Sequence, residues 1–208
     1  MKFFTFFLFL IFLQGCDENS SINDFLFSEK IEYSDLVKRD GVYYKKFSDT
    51  PYTGKVYGEV VGEIKEGKRH YEGKWKIYKN KILISEASYT NGKLHGAYKT
   101  FYNNGNKQKE EVYLNGKLDG KIIHYYEDNN IKKKTFYKAG VLNGELLEFY
   151  ENGQLLKKEN YKNGLLHGSY ISYFEKGQIS TKTNYKEGNL EGEYTSFYYN
   201  GQLKSKVF

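Results

Sequence analysis

The chain has 208 residues, among them 22 tyrosines, 15 phenylalanines and 21 glycines, but a single cysteine and a single proline. One cysteine excludes a disulfide framework within the chain, so stability must come from packed secondary structure. The formal net charge of +6 suits an anionic surface, yet Lys and Arg are mixed with Asp and Glu along the chain, which fits a solvated face better than a nucleic-acid groove.

Met1 and Lys2 give a short basic start, and residues 3–13 form an apolar run too brief to span a bilayer as a mature helix. This is the pattern of a secretory signal. The run closes on Leu13-Gln14-Gly15-Cys16, which resembles the bacterial lipobox. The resemblance implies removal of residues 1–15 and acylation of Cys16 at its thiol and new amino terminus. A membrane anchor facing the extracytoplasmic side of the cell envelope would follow. Each buried methylene contributes about 0.8 kcal/mol, so more than one chain is needed for a stable anchor. Residues 16–40 are then expected to be a lipid-anchored tether, polar and aperiodic over 17–30, with a short helix around 31–38.

From Gly41 the pattern changes to Tyr, Val and Lys alternating with Gly, and Pro51 sits in the turn-rich stretch Ser48-Asp49-Thr50-Pro51-Tyr52-Thr53-Gly54. Residues 41–88 carry a degenerate form of a pattern that becomes strict over 89–208. Tyr89, Tyr113, Tyr137, Tyr161 and Tyr185 are 24 residues apart. So are Gly92, Gly116, Gly140, Gly164 and Gly188, each followed four residues later by Gly96, Gly120, Gly144, Gly168 or Gly192. A fixed interval of this size marks a stacked array of one supersecondary unit.

Local signals identify the unit as a β-hairpin. Asn104-Gly105, Asn152-Gly153 and Asn200-Gly201 are dipeptides favoured by a two-residue type I′ turn, in which both central residues need positive φ. Asn91-Gly92, Asn115-Gly116 and Asn163-Gly164 supply a second turn per repeat. Two strands fit between turns, as in 97–103 and 107–114. Alternation places Tyr98, Ile122, Leu146, Tyr170 and Tyr194 on one face, with Tyr102, Tyr126, Tyr150, Phe174 and Tyr198 in the same phase. Phe101, Tyr125, Phe149, Tyr173 and Phe197 fall on the other. The expected fold class is all-β, an elongated single-layer antiparallel sheet of tandem β-hairpin repeats. Cross-strand aromatic pairs would contribute roughly 0.2–1 kcal/mol each.

Tyr161-Lys162-Asn163-Gly164-Leu165-Leu166-His167-Gly168 and Phe149-Tyr150-Glu151-Asn152-Gly153-Gln154-Leu155 resemble the two halves of the MORN repeat, in the variant form common in bacterial surface proteins. The resemblance spans about 41–208 and is strong beyond Tyr89. Gly41-Val42-Tyr43-Tyr44 with Thr50-Pro51-Tyr52-Thr53-Gly54 also resembles the opening segment of such arrays. Asn129 stands where a hairpin glycine is expected, Ala139 replaces a turn asparagine, and 67–73 holds two extra residues. Asparagine tolerates the left-handed region, so the first departure is mild. Bacterial proteins similar to this are often labelled antitoxin-like, which would imply neutralising a partner by contact.

Chemical candidates are weaker. His95 and His167 hold the same repeat position three copies apart, about 29 Å at about 4.8 Å per strand, too far for one ion. His70 and His124 fall in other phases, so no metal site is expected. The carboxylates form no convergent acid–base pair, and nucleophile elbows and phosphate loops are missing. Lys132-Lys133-Lys134 beside aromatic rows is compatible with single-stranded nucleic acid, but the sheet needs those rings and the signal exports the chain. No enzyme activity, cofactor or nucleic-acid partner is expected. The function implied is a binding platform for a protein, lipid-headgroup or glycan partner, with an envelope hydrolase and a structural spacer as the competing classes.

Overall fold

Hairpin follows hairpin from Gly54 to Val207 in the computed structural model, which describes residues 30–69 and 71–208. Nineteen strands join one sheet, and a separate ribbon pairs Leu36–Arg39 with Val42–Lys45. Every pairing in the sheet is antiparallel except that Lys30–Glu32 lies parallel on Gly54–Tyr57. Two strands per 24 residues advance the array by about 9.6 Å per repeat.

The segment 31–38, expected to be helical, instead runs through the strand Lys30–Glu32, a single 3-10 turn at Tyr33–Asp35, and the strand Leu36–Arg39. Tertiary packing overrides the local pattern here. Ile31, Tyr33 and Leu36 pack against a buried cluster of Tyr43, Tyr52, Val56, Val60, Ile64 and Trp75. Lys30–Glu32 also satisfies the backbone edge of Gly54–Tyr57, which would otherwise be unpaired. The span read as tether thus contains strand structure from Lys30 onward. The signal, Cys16 and the segment 17–29 lie outside the described residues.

Two kinds of turn alternate, and their assignment differs from the sequence reading. The two-residue type I′ turns are the other Asn-Gly set: φ is 51° and 72° at Asn91-Gly92, and 52° and 82° at both Asn115-Gly116 and Asn163-Gly164. At Asn104-Gly105 only the glycine is left-handed, with φ 85°. Tyr102 N–H donates to Asn106 O at 2.8 Å and Gly105 N–H to Tyr102 O at 2.9 Å, closing a three-residue loop. The asparagine stays out of the left-handed region because its Oδ1 accepts from Asn106 N–H at 2.9 Å. The same bond recurs from Gln154 to Asn152 and from Gln202 to Asn200, each at 3.0 Å. Asn129 takes the glycine's role at φ 74°.

Beyond the N-terminal cluster, burial is concentrated in one row across the sheet. It runs through Trp75, Ala87, Tyr98, Glu111, Ile122, Thr135, Leu146, Glu159, Tyr170 and Thr183, matched strand to strand by register. All of these but Tyr98 and Tyr170 are buried. First strands supply the large side chains; second strands supply Ala87, Glu111, Thr135, Glu159 and Thr183. Tyr98 meets Tyr113 edge-on at 6.3 Å, and Tyr170 meets Tyr185 at 6.1 Å.

Candidate functional site

The ten repeat glycines fall into two structural groups. Gly92, Gly116, Gly140, Gly164 and Gly188 close the type I′ turns at φ 72–89°. Their N–H groups reach into the preceding repeat: Gly116 donates to Leu94 O, Gly140 to Leu118 O, Gly164 to Leu142 O and Gly188 to Leu166 O, at 2.7–2.9 Å. Turn is thereby docked on turn. Gly96, Gly120, Gly144, Gly168 and Gly192 also have positive φ, from 77° to 128°. A Cβ at Gly120 or Gly144 would come within 3.2 Å of the Cβ of Val112 or Phe136 on the adjoining strand, so this group serves both conformation and close approach.

The histidine positions take part in the same docking. His95 Nδ1 lies 3.3 Å from Asn115 Oδ1, and the equivalent Asp119 accepts from Ala139 N–H at 2.9 Å. Each reaches the next turn, a docking role that the repeat spacing alone did not reveal. His70 lies outside the described residues. Among the described residues no group of three or more His, Cys, Asp or Glu side chains is placed to hold a metal ion.

A second tie between repeats comes from tyrosine hydroxyls. Tyr102 donates to Tyr125 O at 2.8 Å, Tyr126 to Phe149 O at 2.7 Å and Tyr150 to Tyr173 O at 2.9 Å. Phe174 at the next equivalent position has no hydroxyl, and the ladder stops there.

The two faces differ chemically. On the face bearing the buried row, Glu111 accepts from Tyr113 Oη at 3.1 Å and pairs with Lys109 at 3.0 Å; Glu159 does the same with Tyr161 at 3.1 Å and Lys157 at 3.2 Å. Burial, then the adjacent carboxylate, pushes both Tyr113 and Tyr161 up to about 12. Lys109, His124, Lys133, Glu148 and Lys157 form a parallel row two residues along. Burial raises Glu148, but hydrogen bonding and charge from Lys133, with the charge of Lys157, outweigh it, so its pKa is lowered. Lys133 lies 2.8 Å from that carboxylate.

The opposite face carries Lys99, Glu110, Ile123, Lys134, Leu147, Lys158, Ile171 and Lys182 in one row. Beside it Val112 and Phe136 are 40% and 49% exposed, flanking Lys121. Tyr125 is buried on this face, its hydroxyl donating to Glu110 at 2.7 Å. The lysine run 132–134 is split between faces. Lys132 rests over the Tyr126 ring at 5.2 Å, whereas Lys134 crosses to Phe149 at 5.6 Å. No single cationic strip results.

Two of the open clefts are rich in charged groups. One of about 560 Å³ near the N-terminal strand is lined by Lys30, Lys55, Glu63, Glu72 and Lys74 among others, with signs nearly balanced. The other, about 370 Å³, gathers Lys109, His124, Lys132 and Lys133 with Gln108 and Tyr102.

Comparison with curated proteins returned no match. The sequence pattern described as "MORN repeat variant" matches residues 94–115, 118–139, 142–163, 166–187 and 190–208. These five stretches begin just after the type I′ turns and, in the first four cases, end on the first residue of the next, so the matched unit is the hairpin of the structure. Repeats of this kind are generally binding modules. The chain belongs to the MORN repeat variant family.

Proposed function

We propose that the protein is a non-catalytic binding platform of the cell envelope, held to a membrane through acylated Cys16 and presenting one sheet face to a protein or envelope component. The observation that carries the binding role is the face opposite the buried row, where exposed Phe136 and Val112 flank Lys121 and a row of lysines alternates with Ile123, Leu147 and Ile171. Exposed apolar groups set among charged side chains favour contact with a partner surface. Membrane attachment is supported by the lipobox-like Leu13-Gln14-Gly15-Cys16 after the apolar run.

Two measurements test the two parts. Cys16→Ser should abolish incorporation of labelled fatty acid and release the protein from membranes; retention of both would remove the anchor. A photo-crosslinking phenylalanine analogue at Phe136 should give discrete adducts in intact envelopes, while the same analogue at Asn115 gives few. Equal labelling at both positions, or none at Phe136, would refute the face as a binding surface.

A further inference from the structure

At the cleft beside His124 the lining side chains differ from those of the other repeats. Positions equivalent to His124 hold Thr100, Glu148, Ser172 and Ser196, and those equivalent to Lys132 hold Ile84, Gln108, Leu156, Ser180 and Lys204. Among the described residues only this histidine stands between two lysines: its Cα partners are Lys109 on one neighbouring strand and Lys133 on the other.

The hairpin irregularities bring a further group to the same face. The register shift between His124 and Tyr125 leaves Lys132 as the extra residue, and the shift between Lys107 and Lys109 does the same for Gln108. At such a bulge the extra residue turns toward the side of its neighbour. Lys132 therefore joins Lys133, and Gln108 joins Lys109, around one opening of about 370 Å³. Three ammonium groups face two carboxylates, because Lys109 is paired with Glu111 and Lys133 with Glu148. Lys132 sits on the Tyr126 ring and makes no ion pair with the described residues.

We propose that this cleft binds an oxyanion, a phosphate or a carboxylate, with Lys132 supplying the charge and His124 and Gln108 the directed hydrogen bonds. The proposal goes beyond the binding role argued above, since the cleft lies on the other face of the sheet, and it is independent of the anchor. Burial, then the charge of Lys109, with Lys133 and Lys132 adding to it and Glu111 opposing, holds the His124 imidazole below its ordinary pKa. An anion in the cleft neutralises that repulsion, so binding and protonation of His124 favour each other.

The test is a titration of the full chain with inorganic phosphate, and separately with phosphatidylglycerol–phosphatidylcholine vesicles, reading the His124 ring resonances across pH. Saturable binding of phosphate with an upward shift of the His124 pKa is expected. Lys132→Gln should weaken it by about tenfold or more, as for loss of a charge-assisted hydrogen bond, while Lys204→Gln at the equivalent bulge leaves it unchanged. A His124 shift with vesicles alone, equally sensitive to Lys132→Gln, assigns the oxyanion to a lipid headgroup. No shift with either probe, or the same response in Lys132→Gln as in the parent, overturns the proposal. Fractionation of Cys16→Ser reads the anchor and the Phe136 crosslink reads the opposite face, so each reading fails on its own assay.

Discussion

Ala139, like Glu187 two copies on, puts a residue ill suited to its backbone into a strictly repeated turn, and replacing it should stabilise the array. Its φ of 51° matches Asn91, Asn115 and Asn163, at 51°, 52° and 52°. An L-residue other than Asn, Asp or Gly spends about 1–2 kcal/mol to enter the left-handed region, where asparagine is relieved by local hydrogen bonding. The backbone bond from Ala139 N–H to Asp119 Oδ2, at 2.9 Å, and that from Gly140 N–H to Leu118 O, at 2.7 Å, do not involve the Ala139 side chain. Ala139→Asn should therefore gain about 1 kcal/mol, which for a chain of this size raises Tm by about 2–4 °C. Ala139→Gly should gain less, since glycine frees the unfolded chain by about 0.4–1 kcal/mol. Ala139→Val should lose stability, a β-branched residue being least tolerant of positive φ. Thermal unfolding followed by the β-sheet circular dichroism measures all three. An asparagine variant melting at or below the parent would refute the strain reasoning.

Gly62 owes its place to packing rather than to φ: a Cβ there would overlap the buried Trp75 indole. Gly62→Ala should cost about 1–3 kcal/mol in urea unfolding, as overpacking does, and less in a Trp75→Phe background; equal cost in both would show that the indole is not the obstacle. Acidification should lower stability in two stages. The folded-state pKa of His124 lies below its ordinary 6.5, so the unfolded chain takes that proton first and stability falls as pH drops below about that value. Glu110 and Glu148 have lowered folded-state pKa values despite burial, because Tyr125 and Lys107, or Lys133 and Lys157, favour the ionised form. Their contribution is present above about 4.5 and is lost as pH falls through their folded values. Tm measured from pH 8 to pH 3 should decline in both windows, and a flat profile from pH 7 to pH 5 would count against the His124 environment.

Much of the repeat architecture was legible because a 24-residue period, paired turns and alternating aromatics all specify the same hairpin. The faces of Tyr98, Ile122 and Leu146 against Tyr125 and Phe149 followed from alternation alone. The turn types did not. Asn104-Gly105 and Asn115-Gly116 are the same dipeptide, and what separates them is register: one lies in a three-residue loop, the other between strands that meet two residues apart. Residues 31–38 lacked a periodic signal, and their conformation is set by the cluster around Tyr43 and Ile64 and by an open strand edge, neither visible locally. The His124 cleft was equally hidden. Its lysines are ordinary in sequence; register pairs Lys109 and Lys133 with His124, and only the bulges at Gln108 and Lys132 bring those two side chains to the same face.

The buried row shows why a uniform period does not make the copies equivalent. At its second-strand position the residues run Ala87, Glu111, Thr135, Glu159, Thr183, so a carboxylate occurs in every other repeat. Equivalent positions are about 9.6 Å apart. Two buried carboxylates at that distance repel by about 1.7 kcal/mol at an effective dielectric of 20, before their lysine partners are counted, and by about half as much when one repeat is skipped. Threonine in the intervening copies needs no countercharge; Thr183 donates instead to Glu193 O at 3.1 Å. Each glutamate, in turn, requires a lysine two residues before it and a tyrosine two after, as Lys109-Glu111-Tyr113 and Lys157-Glu159-Tyr161 provide and Thr181-Thr183-Tyr185 does not. The backbone thus repeats with one period and its buried charge with twice that period, which leaves Lys133, freed from a buried glutamate of its own strand, to reach Glu148 beside His124.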